Sequence, residues 1–196
     1  GAQLTRSLLA FSRRSPVAVV PEEVDSLVLG VEGLVRPLLP RPIRLDVHLA
    51  SDLGRVAVDR VQLQQVLVNL LVNARDAMPD GGTIQLRAER RSLESGEKMI
   101  EGLDALAIYL VLSVIDEGAG MDEATRDRVF EPFFTTKSLG EGTGLGLAMA
   151  YGIVHQSAGS ISVESTVGLG TTFKVYLPSL SDRVEMSDES PPADSD

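Results

Sequence analysis

The sequence predicts an α/β (α+β) fold, a two-layer sandwich in which a mixed sheet packs against about three helices. Helical and strand-like periodicities are interspersed without regular strand-helix-strand alternation, so the sheet is expected to be mixed rather than wholly parallel. The most apolar run, ALAIYLVLSVI at 105 to 115, is rich in β-branched residues and far shorter than the roughly 20 residues of a membrane helix, which suits a buried central strand. At 196 residues and 43% hydrophobic composition, the chain suits one domain with a sizeable core, plus tails.

The elements follow in order. QLTRSLLAFSRR places Leu4, Leu8 and Phe11 on one helical face and reads as the end of something longer. After Pro16 a short extended piece leads into EEVDSLVLGVEGLVRPLL, where Val24, Leu27, Val28, Val31, Leu34 and Val35 recur at helical spacing until Pro37 and Pro40 stop it. IRLDVHLA alternates like a half-buried strand, and RVAVD is a second, shorter one. From Asp59 the run DRVQLQQVLVNLLVNARDAM is helical, and PDGG ends it with strong turn chemistry. TIQLRAER alternates as a strand, RSLESGEKMIEGLD is a polar loop, and the apolar run then supplies the central strand. A helix is expected at about 122 to 130, a loop through 131 to 142 and a glycine-led helix to about 158. The strands SISVES and TTFKVYLP close the domain, joined by the turn TVGLG.

Charge narrows the function classes. A net charge of −10 argues against nonspecific nucleic-acid binding, which relies on Lys and Arg to neutralise phosphates. Residues 179 to 196 hold six acidic residues and one arginine and read as a disordered tail or linker. With no cysteine there is neither a disulfide framework nor a thiolate metal site, which fits a reducing, cytoplasmic setting.

Three segments carry the chemistry. In NLLVNARDA, residues 69 to 77, Asn69 and Asn73 stand one helical turn apart and share a face with Gln65 and Asp76. That face is either the polar side of an amphipathic helix or an offer of amide oxygen to a hard cation such as Mg²⁺. In IDEGAGMD, residues 115 to 122, Asp116 ends the apolar strand and Gly118 and Gly120 follow. This is either a plain strand-to-helix turn or a carboxylate placed to accept from an adenine amino group, with glycines letting base and sugar approach. FEPFFTTKSLGEGTGLGL, residues 130 to 147, lacks the Gly-Lys-Ser/Thr of a Walker A loop, yet a helix start with bare amides favours phosphate. Phe130, Phe133 and Phe134 are expected to anchor that loop by packing, and Lys137 is either a solvated charge or a phosphate contact.

Taken together these segments resemble the ATP-binding domain of sensor histidine kinases, within the gyrase, heat-shock chaperone and MutL ATPase superfamily. NLLVNARDA looks like the N box, IDEGAGMD the G1 box, FEPFFTTK the F box, GEGTGLGL the G2 box and GLGTTF at 168 to 173 the last glycine-threonine element. Five boxes stand in family order over about residues 15 to 178. The resemblance implies a Bergerat-type sandwich that binds ATP and Mg²⁺. It makes Asn73 the metal ligand, Asn69 its support, and Asp116 the adenine contact, with Thr171 nearby through water. Residues from Gly118 to about Gly142 would form a mobile lid, Gly142, Gly144 and Gly146 would cradle the triphosphate, and Lys137 would meet the γ-phosphate. Asp76, Gly120, Thr136, Thr143, Leu145 and Leu147 complete the implied nucleotide-binding set, and Asn69, Asn73 and Lys137 the catalytic one.

In gyrase-like relatives a glutamate stands where this chain has Asn69, and an amide cannot act as that base. The departure favours passing the phosphoryl group to an acceptor over hydrolysis. The two histidines, His48 and His155, both lack the context of a phosphoacceptor. The expectation is therefore the end of a dimerisation and phosphoacceptor hairpin at 1–14, the catalytic domain at 15–180 and an acidic tail at 181–196. The acceptor hairpin would be elsewhere, so the chain alone is not expected to phosphorylate itself. Expected partners are ATP, that hairpin, and a response regulator or fused receiver domain, with no nucleic acid and no membrane contact by this part. The competing classes are an ATPase or serine/protein kinase of the same superfamily, and a noncatalytic nucleotide-sensing module.

Overall fold

The computed structural model describes residues 18–92, 103, 107–138 and 142–180. The expected hairpin end at 1–14, the tail at 181–196 and most of the polar loop after residue 92 lie outside the described residues. In chain order the elements are β1 (Val20–Glu23), α1 (Val24–Val35), a single 3-10 turn (Arg36–Leu38), β2 (Ile43–Leu49), β3 (Arg55–Val58), α2 (Arg60–Asp76), β4 (Gly82–Ser92), β5 (Ile108–Asp116), α3 (Glu123–Arg128), α4 (Gly146–Gln156), β6 (Ser160–Thr166) and β7 (Gly170–Pro178).

The apolar run lies at the centre of a five-stranded sheet of order β2-β4-β5-β7-β6. Only the β2–β4 pair is parallel; the other neighbours are antiparallel, so the sheet is mixed as the interspersed pattern predicts. Strand alternation divides β5 between two faces. Leu110, Leu112 and Val114 join the main core with Leu63, Val66, Leu67, Leu70 and Leu71 of α2, the valine stripe of α1, and Ala150 and Val154 of α4. Tyr109 and Val111 instead meet Tyr176 in a small cluster on which Leu103 and Ala107 pack. A separate antiparallel pair, β1–β3, is tied to the main sheet by a bridge between Val56 and Ser179 and by the Leu180 N–H donating to Arg55 O at 2.9 Å.

Helix α2 carries the first candidate segment, and its start is chemically fixed. Asp59 caps it, Oδ1 accepting from the Gln62 N–H at 3.0 Å, while Oδ2 accepts from Ala18 N–H at 3.0 Å. Met78 to Gly81 then close the turn that returns the chain to β4. One residue departs from the predicted stripe of α1: Leu34, at the edge of the stripe in the last turn of the helix, is 57% exposed while the adjacent Val35 is buried. Leu70, fully buried between sheet and helices, tests the core. Leu70→Ala is expected to cost about 2–5 kcal/mol in chemical denaturation, whereas a loss under about 1 kcal/mol would mean that the two layers are not packed on this residue.

Candidate active site

Helix α2, the turn after β5, α3, the segment at 134–137, the start of α4 and the strand β7 enclose a cleft of about 670 Å³. It gathers Asn69, Asn73, Asp76, Asp116, Gly120, Thr136, Lys137, Gly142, Thr143, Gly144, Gly146, Leu147 and Thr171. Two expected members do not line it. Gly118 is turned into the protein against α2, where an added Cβ would fall 2.6 Å from Ala77 O. Leu145 sits at the N-cap position of α4. The cleft also has walls that are not among the expected site residues, although most lie within the boxes: Val72 of α2, Ala77 at its C-cap, Met121, Val129, Phe134 and Phe173. These read in sequence as core or turn residues, and no local signal separates an apolar cleft wall from an apolar core.

Asp116 ends β5 between Ile84 of β4 and Thr171 of β7. Its Oδ1 accepts from the N–H of Gly118 at 2.9 Å and of Thr171 at 3.2 Å. Oδ2 accepts from none of the described residues and stays available as an acceptor. Burial pushes this carboxyl above the ordinary range, and the two backbone donors only partly offset it. Beside it Ser165 Oγ donates to Gly170 O at 3.0 Å and accepts from the Met121 N–H at 2.8 Å. With its one proton committed, Ser165 must accept the hydroxyl of Thr171, 2.9 Å away. The Thr171 oxygen is then an acceptor on the cleft wall.

At the other end, Asn69 Nδ2 donates to Gly146 O at 3.0 Å and its Oδ1 accepts from Gln65 Nε2 at 3.1 Å, which puts the polar face of α2 against the start of α4. The Asn73 amide takes no bond from the described residues. Helix α4 has no side-chain cap, so its first-turn N–H groups remain free at the cleft. Asp76 accepts from Arg75 through Oδ1 and from Lys137 through Oδ2. Burial raises the Asp76 carboxyl, but the hydrogen bonds from Lys137 and Arg75 outweigh it and leave it below the usual carboxylate range.

The loop before α4 is held in a way only partly expected. Phe130 packs with Tyr151 and Phe173 at ring separations of 5.5 and 6.2 Å, and the Arg128 guanidinium lies 4.4 Å above the Phe134 ring. Phe133, expected to pack as well, is 60% exposed; its backbone supplies the anchor, the N–H donating to Gly144 O at 2.8 Å. That contact explains one glycine of the G2-like run. Gly144 has φ +63°, and a Cβ there would fall 2.4 Å from the Phe133 carbonyl carbon. Neither histidine lines the cleft: His48 stands on the edge strand β2, and His155 packs at a tilt against Tyr151, ring centroids 4.2 Å apart.

Residues 58–181, which contain the whole cleft, match the family model for histidine kinase-, DNA gyrase B- and HSP90-like ATPases. The chain belongs to this ATPase family. Within it, the similarity runs to sensor histidine kinases. The sensor kinase CckA of Brucella abortus (strain 2308) is 45% identical over 98% of this chain, which spans 20% of that protein. The catalytic domain of the histidine kinase ThkA superposes with a TM-score of 0.65 at 27% identity, over 82% of this chain and 95% of that one. Full-length ShkA, crystallised with AMPPNP, gives a TM-score of 0.70 at 25% identity over 90% of this chain and 35% of its own. The chain is thus an ATP-binding catalytic domain of the histidine kinase type. Among its described residues no helix is long and apolar enough to cross a membrane.

Proposed function

We propose that the cleft binds ATP with Mg²⁺ and delivers the γ-phosphoryl group to a histidine on a separate hairpin domain of the same kinase. The observation that carries this reading is the polarity of the cleft: a buried carboxylate with one unused acceptor oxygen at one end, and an uncapped helix start with a lysine at the other. Asp116 Oδ2 accepts from the adenine amino group, and the Thr171 hydroxyl oxygen accepts from a bridging water. The free N–H groups of α4 receive phosphate oxygens beside Gly142, Thr143, Gly144, Gly146 and Leu147, with Thr136 and Lys137 at the terminal phosphate. The crystallisation of ShkA with AMPPNP supports an adenosine triphosphate as the ligand.

The donor set fits a magnesium ion that is shared with substrate. Among the described residues no three His, Cys, Asp or Glu side chains group to hold a metal, so a cation here rests on an amide oxygen, phosphate and water. Mg²⁺ accepts that arrangement readily. Asn73, whose amide is unbonded, would hold it, and Asn69, tied to Gln65 and Gly146, braces the same face. When bound, the ion neutralises charge on the phosphates.

The carboxylates of the cleft favour transfer over hydrolysis. Among the described residues, Asp116 and Asp76 are the two carboxylates that line it. Asp116 is held at the adenine end, and Asp76 is ion-paired with its proton affinity lowered, so neither is placed to activate water. The acceptor is instead expected to come from the hairpin, and a response regulator or fused receiver domain to take the phosphoryl group onward. The reading places this part of the kinase in the cytoplasm, where ATP is, with any membrane anchor elsewhere in the full-length protein; no role for nucleic acid follows from a net charge of −10.

Calorimetric titration with AMPPNP, with and without Mg²⁺, tests the site. Magnesium should tighten binding, and Asn73→Ala should remove that increment while leaving metal-free binding in place. Binding that is indifferent to magnesium, or an increment that survives Asn73→Ala, would contradict the assignment. Rapid phosphate release from ATP by the chain alone would favour an ATPase.

A further inference from the structure

Lys137 belongs to the segment that precedes α4, yet its ammonium is held by α2. Its Nζ lies 2.5 Å from Asp76 Oδ2, and its own N–H donates to Thr135 Oγ1 at 3.2 Å. Its stem runs past Gly142, where an added Cβ would come within 3.2 Å of Lys137 Cδ and 3.3 Å of Lys137 Cβ. Asp76 is in turn fixed from its own helix, because Arg75 donates to Oδ1 through Nε at 2.9 Å and Nη2 at 2.6 Å. That fork leaves Oδ2 to meet the lysine. An ammonium has three donors, so Lys137 can keep Asp76 and still donate to phosphate. A lone carboxylate at the phosphate end of the cleft would repel a triphosphate; with Arg75 and Lys137 beside it, the trio carries one net positive charge.

We infer that Asp76 is a positioning residue for Lys137: it docks the lysine at the phosphate end of the cleft, and preference for nucleoside triphosphate over diphosphate runs through this ion pair. The inference rests on the phosphate role of Lys137 proposed above. Because Asp76 holds its charge below the usual carboxylate range, the pair persists on mild acidification.

A double-mutant cycle tests it. The affinities of AMPPNP and ADP are measured for the 196-residue chain, for Lys137→Gln, for Asp76→Asn and for the double variant, with thermal melts to verify that each folds. Lys137→Gln should lower the AMPPNP to ADP affinity ratio about tenfold in the parent chain, but by no more than about twofold once Asp76→Asn is present. Asp76→Glu, which keeps the charge, should restore most of the ratio. Equal losses in both backgrounds would show no coupling and overturn the inference. A larger loss in the Asp76→Asn background would make Asp76 a competitor for the lysine and overturn it too. If Lys137→Gln leaves the ratio unchanged in the parent chain, the phosphate role of Lys137 itself falls, and the inference with it.

Discussion

Asp116→Asn is expected to lose nucleotide affinity by about 10- to 150-fold while the domain keeps or gains stability. The loss follows from donor and acceptor counting. The Asn oxygen would take over the N–H groups of Gly118 and Thr171, leaving the amide nitrogen to face the adenine amino group, donor against donor. A hydrogen bond to a charged partner is worth about 1.5–3 kcal/mol, which converts to that range of affinity. Stability moves the other way because the folded protein raises the Asp116 carboxyl above its ordinary value. A group raised in the folded state prefers its proton there, so its ionisation works against folding at neutral pH and that cost fades as pH falls through the raised pKa. Replacing the carboxylate by a neutral amide removes the cost. Melting at pH 7 should therefore show Asp116→Asn at or above the parent chain, and nucleotide affinity of the parent should fall on acidification before an ordinary aspartate would protonate. A variant that both melts early and binds weakly would make Asp116 structural rather than a base-recognition residue.

Gly170→Ala should be one of the most destructive single methyls among the described residues. At Gly170, φ is +97° and an added Cβ would fall 1.9 Å from Asp116 O and 2.9 Å from its carbonyl carbon. Both obstacles are backbone, so β7 must separate from β5 beside the Asp116 carboxylate. We expect more than about 3 kcal/mol of lost stability. Gly168, two residues earlier in the same turn, has φ +77°, but an added Cβ there would meet no atom within 4 Å. Gly168→Ala should therefore cost only about 1 kcal/mol, or roughly 2–4 °C in melting temperature. Thermal melts of the pair separate close approach from backbone conformation; equal shifts would contradict the contact at Asp116.

Local chemistry explains what could be read in advance. The alternation and caps that place β4, β5 and α2 are properties of neighbouring residues, and the four-residue spacing of Gln65 and Asn69 returns as a hydrogen bond between them. Asp116 at the end of the apolar strand leaves two readings open, a turn residue or an acceptor, and the resemblance to the family, not the strand, points to the second. The family's boxes, rather than any single spacing, carried the nucleotide. What stayed hidden is long-range. The parallel pairing of β2 with β4 and the β1–β3 pair depend on which strands meet, which no periodicity encodes. Lys137 and Asp76 stand 61 residues apart, so their pairing is invisible in sequence although each lies in a recognisable box or beside one. Leu34 and Phe133 fit an apolar pattern yet face solvent: Leu34 stands at the edge of its helical stripe, and Phe133 sits in a turn with φ +67°, where the backbone rather than the hydrophobic pattern decides where the side chain goes.

The most direct test of phosphoryl transfer by this cleft is to mix the chain with γ-labelled ATP, Mg²⁺ and the separately produced hairpin domain of its own full-length kinase. Label should move to a histidine of the hairpin, as an acid-labile phosphoramidate, and should stop with Asn73→Ala or Asp116→Asn in the added chain. Label released as free phosphate, or retained on ATP despite tight binding, would contradict the claim that this cleft transfers a phosphoryl group.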